Sequence, residues 1–366
     1  MIKVIEKLKA VNNGGIEAFV FKNTFLIKNN DLEICYYSDK KPADNCYDKR
    51  LSESGRRIDV SEGCEGSRIK KLFCFAAYCR KKNVGIAHIH MSSPIDFLSG
   101  AAAKLYGVKR VIFHSHSGGR PEANALKKMI FAVSRPLMRL FSSDFLSCSN
   151  AAGRYMFGRN SRFTVVKNGI DTAHFGFDAS LRKETRDKLG IGDKMVIGHV
   201  ARLCEIKNQL FLVDVFDCIH KMNPDTVLLI AGEGDYRKKI EKRISELGLD
   251  GAVIFAGSVE DPAPYYCAMD IFVLPSLSEG ISIVAIEAQT SGLPAVCSDG
   301  VPREAAVTEL CSFMPLNASA EKWAEHILEK TAAFERRSYA EEVKSAGYDI
   351  ADTARQLEEI YFSFEN

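Results

Sequence analysis

Short apolar runs alternate along this chain with longer segments in which apolar residues recur every three to four positions. The first pattern is typical of buried strands and the second of amphipathic helices. Strand–helix–strand alternation predicts parallel sheets joined by crossover helices. The predicted strands are residues 2–5, 32–37, 84–90, 110–114, 145–148 and 163–166 in the first half, and residues 195–199, 227–230, 253–255, 271–274, 295–297 and 310–313 in the second.

The alternation is interrupted once, near the middle of the chain. The turn signal Asn168-Gly169-Ile170-Asp171 is followed there by a polar stretch that ends near Gly190. We therefore predict two doubly wound, Rossmann-like α/β domains, residues 1–175 and 176–344, with a helix over 345–366 that returns to the first domain. Because such folds bind ligands at the carboxyl ends of their strands, the expected site is a cleft between the domains.

The composition is that of an ordinary globular protein, with 46% hydrophobic and 26% charged residues in 366. It excludes collagen-like, disordered and coiled-coil chains, and no apolar run approaches the roughly 20 residues that cross a bilayer. The first ten residues, MIKVIEKLKA, lack the unbroken apolar core of a signal peptide. Eleven scattered cysteines without a C-x-x-C pair favour reduced thiols. We therefore expect a cytoplasmic protein.

The net charge of +2 conceals an asymmetry between the two halves. Residues 1–175 contain 29 Lys and Arg against 15 Asp and Glu, whereas residues 176–366 contain 20 against 32. A basic surface attracts phosphates, nucleic acid or anionic lipid headgroups. The alternative is a fortuitous surface composition.

The segment from residue 271 to residue 296 carries the strongest chemical signal. A predicted strand ends in a loop, and a helix is predicted to open near Gly280, Ile281 and Ser282, where free N–H groups form an anion site. Glu279 precedes that helix, and Glu287 lies eight residues further on, about two helical turns. Both carboxylates can then accept hydrogen bonds from sugar hydroxyls. Alternatively, Glu279 compensates the helix N-terminus and Glu287 is solvated.

A second loop places two cations five residues apart. Arg202 and Lys207 follow the predicted strand at residues 195–199. Together they could clamp a diphosphate and neutralise a departing phosphate. The alternative is an exposed loop with a helix N-terminus at Lys207.

Taken together, the two loops resemble those of the family-4 retaining glycosyltransferases of the GT-B fold. The patterns of that family are G-R-L-x-x-x-K and E-x7-E, which stand here as Ala201-Arg202-Leu203…Lys207 and Glu279…Glu287. The resemblance spans nearly the whole chain. Its other matching segments are Gly14-Gly15-Ile16-Glu17, Val166-Lys-Asn-Gly-Ile-Asp171, Ile230-Ala-Gly-Glu-Gly-Asp235 and Phe255-Ala-Gly-Ser-Val259.

The resemblance implies a GT-B fold and a role for each matched residue. Arg202 and Lys207 would bind the donor diphosphate, and Glu287 would hold the nucleotide ribose. The donor sugar would be held by Glu279, Gly280, Ile281 and Ser282. Gly15 would approach the phosphates from the other domain. Val259 would lie near the base, and His114 would lie near the transferred sugar. Ala201 replaces the usual Gly, and Ile281-Ser282 replace the common Phe/Leu-Pro/Gly pair, which puts the identity of the donor sugar in doubt.

Two features invite other interpretations. His88-Ile-His90 and His114-Ser-His116 could hold a metal if the two strand ends converged, because alternate residues of a strand share a face. No Asp-x-Asp occurs, and Arg202 and Lys207 could neutralise the leaving group, so we predict no metal and no other cofactor.

The segment Ala125–Phe141 predicts a helix with two distinct faces. One face carries an apolar stripe with Leu126, Met129 and Val133, and the opposite, basic face carries Lys128, Arg135 and Arg139, flanked by Phe131 and Met138. The basic outer face could touch an anionic membrane, although an ordinary crossover helix is the simpler interpretation. Pro136 should kink or end this helix.

These observations predict a retaining glycosyltransferase, a hexosyltransferase that moves a sugar from a nucleotide-sugar, with UDP preferred from the resemblance alone. The acceptor would be a glycan or a polyprenyl-diphosphate-linked glycan in cell-surface polysaccharide synthesis, bound by the basic N-terminal domain with possible peripheral membrane contact. No nucleic-acid partner is expected. The alternatives are a sugar-nucleotide epimerase of the same fold and a non-catalytic nucleotide-sugar-binding protein. A dehydrogenase is disfavoured because no G-x-G-x-x-G follows a strand.

Overall fold

The computed structural model describes residues 1–11, 14–40, 51, 56–60, 67–117, 125–142, 144–331 and 336–363. The chain divides into two compact units. Unit 1 comprises Met1–Gly169 and Ile350–Asn366, and unit 2 comprises Ile170–Asp349. The sequence pattern predicts these boundaries after residues 175 and 344.

Each unit is built on one parallel sheet. In the described part of the chain, seven strands of unit 1 lie in the order β3-β2-β1-β4-β5-β6-β7, and six strands of unit 2 lie in the order β10-β9-β8-β11-β12-β13. The strands are β1 (Ile2–Leu8), β2 (Leu32–Ser38), β3 (Ile58–Val60), β4 (Ile86–Met91), β5 (Arg110–Ser115), β6 (Asp144–Ser147), β7 (Thr164–Val165), β8 (Met195–Val200), β9 (Thr226–Ala231), β10 (Val253–Gly257), β11 (Ile271–Leu274), β12 (Ala295–Ser298) and β13 (Cys311–Met314). The sequence does not predict β3, because three residues are too few to show a period.

Crossover helices connect these strands. They are α1 (Gly15–Leu26), α2 (Arg68–Lys81), α3 (Phe97–Leu105), α4 (Ala125–Phe141), α5 (Asn150–Phe157), α6 (Ala179–Leu189), α7 (Gln209–Met222), α8 (Arg237–Glu246), α9 (Ala263–Ala268), α10 (Ile283–Thr290), α11 (Ala320–Thr331), α12 (Ala340–Val343) and α13 (Ile350–Phe362). Local capping explains several ends. Asp178 accepts backbone N–H bonds from Ser180 and Leu181 at the start of α6, and Gly190 ends that helix at a φ of 64°.

In both sheets the chain winds outward in two directions from a central strand pair. In unit 1 it runs from β1 to β2 and β3, and then from β4 to β7 on the other side. In unit 2 it runs from β8 to β9 and β10, and then from β11 to β13. The loops that follow β1 and β4 therefore diverge, as do those that follow β8 and β11. Ligands of doubly wound sheets bind at such switch points.

Helix α4 buries the face opposite to the one that the sequence suggests. Phe131, Ser134 and Met138 are buried, whereas the stripe that includes Leu126 and Met129 is exposed. The expectation that Phe131 and Met138 flank the outer face is therefore wrong, whereas Lys128 and Arg139 of the basic face are exposed as expected. The α4 sequence carries apolar residues on both sides, so its own periodicity does not decide which side meets the sheet. The helix also continues through Pro136 to Phe141 rather than ending there.

The C-terminal tail is not one continuous helix. Gly347, at a φ of 80°, lies in a π-helical turn over Lys344–Tyr348, and α13 begins only at Ile350. Helix α13 belongs to unit 1, where it packs beside α1. None of the helices in the described residues is both long and apolar enough to cross a membrane.

The expectation of reduced thiols fails at one cysteine. Eight of the described cysteines are free, including the buried Cys79 and Cys267. Cys74 in α2 is disulfide-bonded. Spacing along the sequence did not reveal this bond, because a disulfide depends on distance in space.

Arg336 fixes the end of α9 from inside unit 2. Its guanidinium donates hydrogen bonds to the carbonyls of Tyr266 (2.7 Å), Cys267 (2.9 Å) and Ser291 (3.0 Å). Carbonyls at a helix end have no partner within the helix, so one buried cation here satisfies groups from two segments.

The variant Arg336→Met should lower the free energy of unfolding by about 3 kcal/mol, because it removes the donors of the Tyr266 and Ser291 carbonyls, whereas the Cys267 carbonyl keeps its bond from Arg182. The measurement is urea unfolding of the unit 2 transition followed by circular dichroism. Arg337→Met is the matched control, since Arg337 is exposed and its bond to Glu342 is a surface ion pair. Equal losses in the two variants would contradict the assignment.

Candidate functional site

The loop after β8 presents an exposed cation on a buried support. The Arg202 side chain has no acidic partner among the residues that the structure describes. Its backbone carbonyl accepts a hydrogen bond from Gln209 Nε2 at 2.9 Å. Gln209 Nε2 also lies 3.3 Å from His199 Nε2, and His199 Nδ1 lies 2.8 Å from the carbonyl of Val273 in β11. His199 thereby ties the loop to the neighbouring strand.

His199 is held neutral by its surroundings. Burial lowers its pKa to about 4, although the bond to the Val273 carbonyl acts in the opposite direction. In the neutral ring Nδ1 donates to that carbonyl, which leaves Nε2 to accept from Gln209. One fixed tautomer therefore serves as a rigid link beneath Arg202.

Lys207 and Glu279 form an ion pair between the two central loops. Lys207 ends a short 3-10 turn (Glu205–Lys207), and its Nζ lies 2.5 Å from Glu279 Oε1. Both side chains are mostly buried. The backbone N–H of Leu277 donates to the carbonyl of Ile206 at 2.8 Å. The loops at the switch point between β8 and β11 are therefore joined, and Arg202, Lys207 and Glu279 together leave one net positive charge.

Glycines let the loop after β9 approach the loop of Arg202. A Cβ on Gly232 would lie 1.9 Å from the carbonyl oxygen of Ala201, and one on Gly234 would lie 2.2 Å from that of Leu203. Both glycines also have a positive φ, 143° and 157°. The backbone N–H of Leu203 donates to the carbonyl of Glu233 at 2.9 Å. Steric fit therefore requires glycine at both positions.

Buried polar atoms without partners collect at the same switch point. In the described residues of unit 2, the buried side-chain oxygens and nitrogens that lack a hydrogen bond are Gln209 Oε1, Ser276 Oγ and Ser282 Oγ. Ser276 follows β11, and Ser282 is the residue before α10. A buried polar group without a partner costs about 1–3 kcal/mol, and all three of these groups lie in the segments that follow β8 and β11.

Glu287 lies inside α10 and is buried. Tyr266 donates a hydrogen bond to Glu287 Oε2 at 3.0 Å. Burial raises the pKa of Tyr266 well above its usual value, and the carboxylate of Glu287 adds to this effect. The tyrosine therefore stays protonated and holds the carboxylate as an acceptor. The alternative that Glu287 is solvated is wrong.

The other predicted site residues lie at loops or strand ends. Gly280 and Ile281 are half-buried in the loop before α10, and Val259, after β10, packs against the core of unit 2. Gly15 is the first residue of α1 in unit 1, and a Cβ there would meet nothing within 4 Å. The fold of unit 1 therefore gives no steric reason for glycine at that position.

His114 belongs to a buried network in unit 1. Its Nδ1 lies 3.1 Å from His88 Nε2, and His88 Nδ1 lies 2.8 Å from the Tyr361 hydroxyl. Tyr361 also donates to Glu6 Oε1 at 2.6 Å, and His90 Nε2 lies 2.7 Å from Glu6 Oε2. His114 itself has no solvent exposure, and its Nε2 has no partner in the described residues.

The histidines of this network come close enough to hold a metal ion. One ligand atom from each of His88, His90 and His114 lies within 4.8 Å of the others. Every ring nitrogen of His88 and His90 nevertheless has a protein partner already. Burial lowers the pKa of His90 to about 4, although Glu6 opposes that shift. Glu6, Tyr361 and the histidines therefore form one connected hydrogen-bonded network, in which His114 Nε2 has no partner among the described residues.

Comparison with known proteins defines the class. Residues 194–331 match the family described as glycosyl transferases group 1. The solved structure of Anabaena Alr3699/HepE in complex with UDP and glucose superimposes with a TM-score of 0.79 at 19% identity, over 99% of this chain and 100% of that one. The chain is a glycosyltransferase with the GT-B fold, of the hexosyltransferase type. The match to glycosyl transferases group 1 lies within its second unit, and the glycosyltransferase class expected from the loops is confirmed.

Three relatives show how far the similarity extends. The chain is 28% identical to the Bacillus subtilis (strain 168) protein named glycosyltransferase EpsF, over 98% of this chain and 96% of that protein. It is 26% identical to the Staphylococcus aureus capsular polysaccharide biosynthesis glycosyltransferase CapH, over 99% of both. It is 28% identical to the Escherichia coli UDP-Gal:alpha-D-GlcNAc-diphosphoundecaprenol alpha-1,3-galactosyltransferase, over 68% of this chain and 67% of that one. These relatives do not favour the epimerase alternative.

Several supporting residues escaped the sequence analysis. His199 and Gln209 hold the Arg202 loop, Tyr266 holds Glu287, and Glu6 and Tyr361 hold the histidines. Glu6 gives no distinct signal in the sequence, because Lys3 and Lys7 are charged residues of the same strand. The others show no local signal either, because their hydrogen bonds follow no motif spacing and form only in the folded chain.

The stability of unit 2 should fall as the pH falls from about 6.5 toward 4, partly because of His199. In that window the unfolded histidine binds a proton, while the buried one stays neutral until its pKa of about 4. One such group contributes a slope of about 1.4 kcal/mol per pH unit. We expect His199→Gln to show a slope smaller by that amount in urea unfolding of the unit 2 transition. Above about pH 7.5 the two slopes should coincide, because neither state then binds the proton. Identical slopes over the acidic window would contradict the assignment.

Proposed function

We propose that the chain transfers a glycosyl residue from a nucleotide-sugar, a UDP-sugar by preference, to a diphosphate-linked lipid glycan during cell-surface polysaccharide assembly. The observation that carries the proposal is the coincidence at one switch point of two cations, an acidic residue and three unpartnered buried polar atoms. The structure of a similar fold contains UDP and glucose, and a relative is named for a UDP-galactose donor and a diphosphoundecaprenol acceptor.

The donor diphosphate is assigned to the loop after β8. Arg202 offers a guanidinium without an acidic partner in the described residues, which suits bidentate binding of phosphate oxygens. Lys207 is paired with Glu279, so a diphosphate would compete with the carboxylate for its ammonium. Glu279 would then be released to accept hydrogen bonds from the donor sugar. The ion pair keeps both groups in place before the donor binds.

The remaining donor contacts follow from the neighbouring loops. Glu287, oriented by Tyr266, is assigned to the ribose hydroxyls, since a carboxylate can accept two hydrogen bonds from a diol. Ser282 Oγ and the backbone of Gly280 and Ile281 are assigned to the donor sugar. We assign Val259 to the base. Gly15 of unit 1 has space for a phosphate to approach its backbone.

The acceptor is assigned to a cavity in unit 1. The cavity has a volume of about 160 Å³ and lies at the switch point between β1 and β4. Lys9, Arg68 and Lys71 line it and have no acidic partner among the described residues. Its acidic residues are engaged elsewhere, Asp39 with Lys7 and Asp96 with backbone N–H groups. Three cations beside apolar walls suit a diphosphate with the first part of a lipid chain.

We propose front-face transfer with retention at the anomeric carbon. The bond from that carbon to the β-phosphate oxygen breaks, and the bond to the acceptor oxygen forms on the same face. The acceptor proton passes to the departing phosphate, whose charge Arg202 and Lys207 stabilise without a metal ion. His114 is assigned a positioning role through the network of His88 and Glu6, because it has no exposed surface of its own.

Donor binding should appear as a thermal shift with a uridine nucleotide. A ligand at a hundredfold excess over its Kd stabilises the native state by about 2.7 kcal/mol. In a panel of UDP, GDP, ADP and common UDP-sugars, we expect the uridine nucleotides to raise the melting temperature and Glu287→Gln to abolish that rise. Glu325→Gln, on the exposed face of α11, is the matched control. A shift with GDP alone would replace the UDP preference, and an unchanged shift in Glu287→Gln would contradict the ribose assignment.

Removal of either cation should slow transfer more than it weakens folding. We expect Arg202→Ala and Lys207→Ala each to lower kcat by about 10²–10³, because the charge of the leaving diphosphate is then less well stabilised. The readout is release of the nucleoside diphosphate with GlcNAc-diphospholipid as acceptor. Lys194→Ala, an exposed residue of the same unit, is the control. A double Arg202→Ala/Lys207→Ala variant with kcat within about threefold of the wild type would remove both residues from the mechanism.

A further inference from the structure

Three helices on one side of the unit 1 sheet share an unusual outer surface. Helices α2, α3 and α4 pack side by side, and their inner residues, such as Phe75, Phe97 and Phe131, belong to one core cluster. Large apolar side chains of the same helices remain exposed on the outside. We call this surface the α2–α4 face, and its exposed apolar members are Ile69, Phe73, Leu98, Leu105, Leu126, Met129, Val133 and Leu140.

The exposure is concentrated rather than scattered. The described part of the chain has twelve exposed large hydrophobic side chains, and eight of them lie on the α2–α4 face. Leu105 and Leu140 are each 75% exposed. Across α2 and α3 the rings of Phe73 and Tyr106 lie 6.4 Å apart, so the apolar residues of the two helices adjoin. Single exposed hydrophobic residues are ordinary, but a grouped set on one side marks a surface that something covers.

The charge of this face limits what can cover it. The sequences of α2, α3 and α4 contain ten Lys and Arg and no Asp or Glu. The basic residues are Arg68, Lys70, Lys71, Arg80, Lys81, Lys104, Lys127, Lys128, Arg135 and Arg139. A second copy of the chain would bring an equally basic face against this one, and the repulsion would oppose pairing. An anionic lipid surface, by contrast, offers phosphates for the cations and acyl chains for the apolar residues.

The basic residues of the α2–α4 face divide into those that bond within unit 1 and those that are free to contact a ligand, and Arg135 belongs to the first group. It is half-buried, its Nη2 donates to the carbonyl of Tyr155 at 2.7 Å, and its guanidinium lies over the ring of Phe131. It therefore holds α4 to the rest of unit 1. Lys70, Lys81 and Lys128, in contrast, are exposed and have no acidic partner among the described residues. These three can turn toward an external anionic surface.

We infer that the α2–α4 face is a docking surface for an anionic bilayer, into which its apolar side chains insert while its lysines and arginines bind headgroup phosphates. The apolar stripe of α4 lies in the interface, and its basic residues flank it.

The α2–α4 face borders the cavity that is proposed to bind the acceptor. Arg68, Lys71 and Leu72 of α2, together with Leu98 and Ser99 of α3, line that cavity. A lipid-linked acceptor in the bilayer would therefore meet the cavity beside the docking surface. This agreement rests on the proposed function, whereas the docking surface itself rests only on the exposure and charge of the helices.

The test is vesicle flotation of the purified full-length protein. We expect it to float with phosphatidylcholine vesicles that contain phosphatidylglycerol and not with phosphatidylcholine alone, and we expect added salt to reduce the binding. The apolar variant Leu126→Gln/Met129→Gln/Val133→Gln/Leu140→Gln should bind at least tenfold more weakly. The charge variant Lys70→Glu/Lys81→Glu/Lys128→Glu should lose binding similarly. The matched control Lys194→Glu/Lys238→Glu/Lys322→Glu, on exposed residues of unit 2, keeps the same net charge as the charge variant and should bind more strongly than it.

The outcomes separate this inference from the proposed function. The variants change no residue of the donor site, so the thermal shift with nucleotide should persist in all of them. A persisting shift also shows that each variant is folded. The inference is wrong if the wild-type protein stays in the aqueous fraction with anionic vesicles, or if the apolar variant floats like the wild type. It is also wrong if the wild type is a dimer by light scattering and the apolar variant a monomer, since a second copy would then cover the face.

Discussion

The reversal of winding direction at the centre of each parallel sheet governs where this protein can bind ligands. At β1 and β4, and again at β8 and β11, neighbouring strands send their following loops to opposite sides. The gap that this leaves cannot be filled by a crossover helix. In unit 2 it holds Arg202, Lys207 and Glu279, and in unit 1 it holds the basic cavity. A fold rule thus positions the charged groups on which the proposed donor and acceptor sites rest.

Buried polar networks hold these positions rigid. Under the loop after β8, neutral His199 links β11 to Gln209 and through it to the Arg202 carbonyl. In unit 1, Glu6 of the first strand and Tyr361 of the last helix bond to each other and to the histidines of β4. Burial raises the pKa of the Glu6 carboxyl, but His88 and His90 beside it lower that pKa overall. The network therefore ties the two ends of the chain together around an ionised carboxylate.

The two surfaces of unit 1 suit one task. A glycosyltransferase that acts on a lipid-linked acceptor has to work where that acceptor lies, at the surface of a bilayer. The α2–α4 face combines exposed apolar side chains with an excess of positive charge and borders the cavity at the β1–β4 switch point. In the proposed function unit 2 needs no such surface, because the nucleotide-sugar assigned to it is water-soluble. The charge asymmetry between the halves of the sequence agrees with that proposed division of tasks.

The sequence by itself determined the two parallel sheets, the loops that carry Arg202, Lys207, Glu279 and Glu287, and the glycosyltransferase family, because these depend on local periodicity and on motifs within a few residues. Only the tertiary structure decided which face of α4 is buried, that Glu6 and Tyr361 meet, that His199 supports the Arg202 loop, and that Cys74 is bonded. Periodicity tells which residues share a face, but what covers that face depends on partners from other elements of the chain. The apolar stripe of α4 looks like a core face in the sequence but is exposed in the fold, because Phe131 and Met138 on the opposite face pack into the core instead.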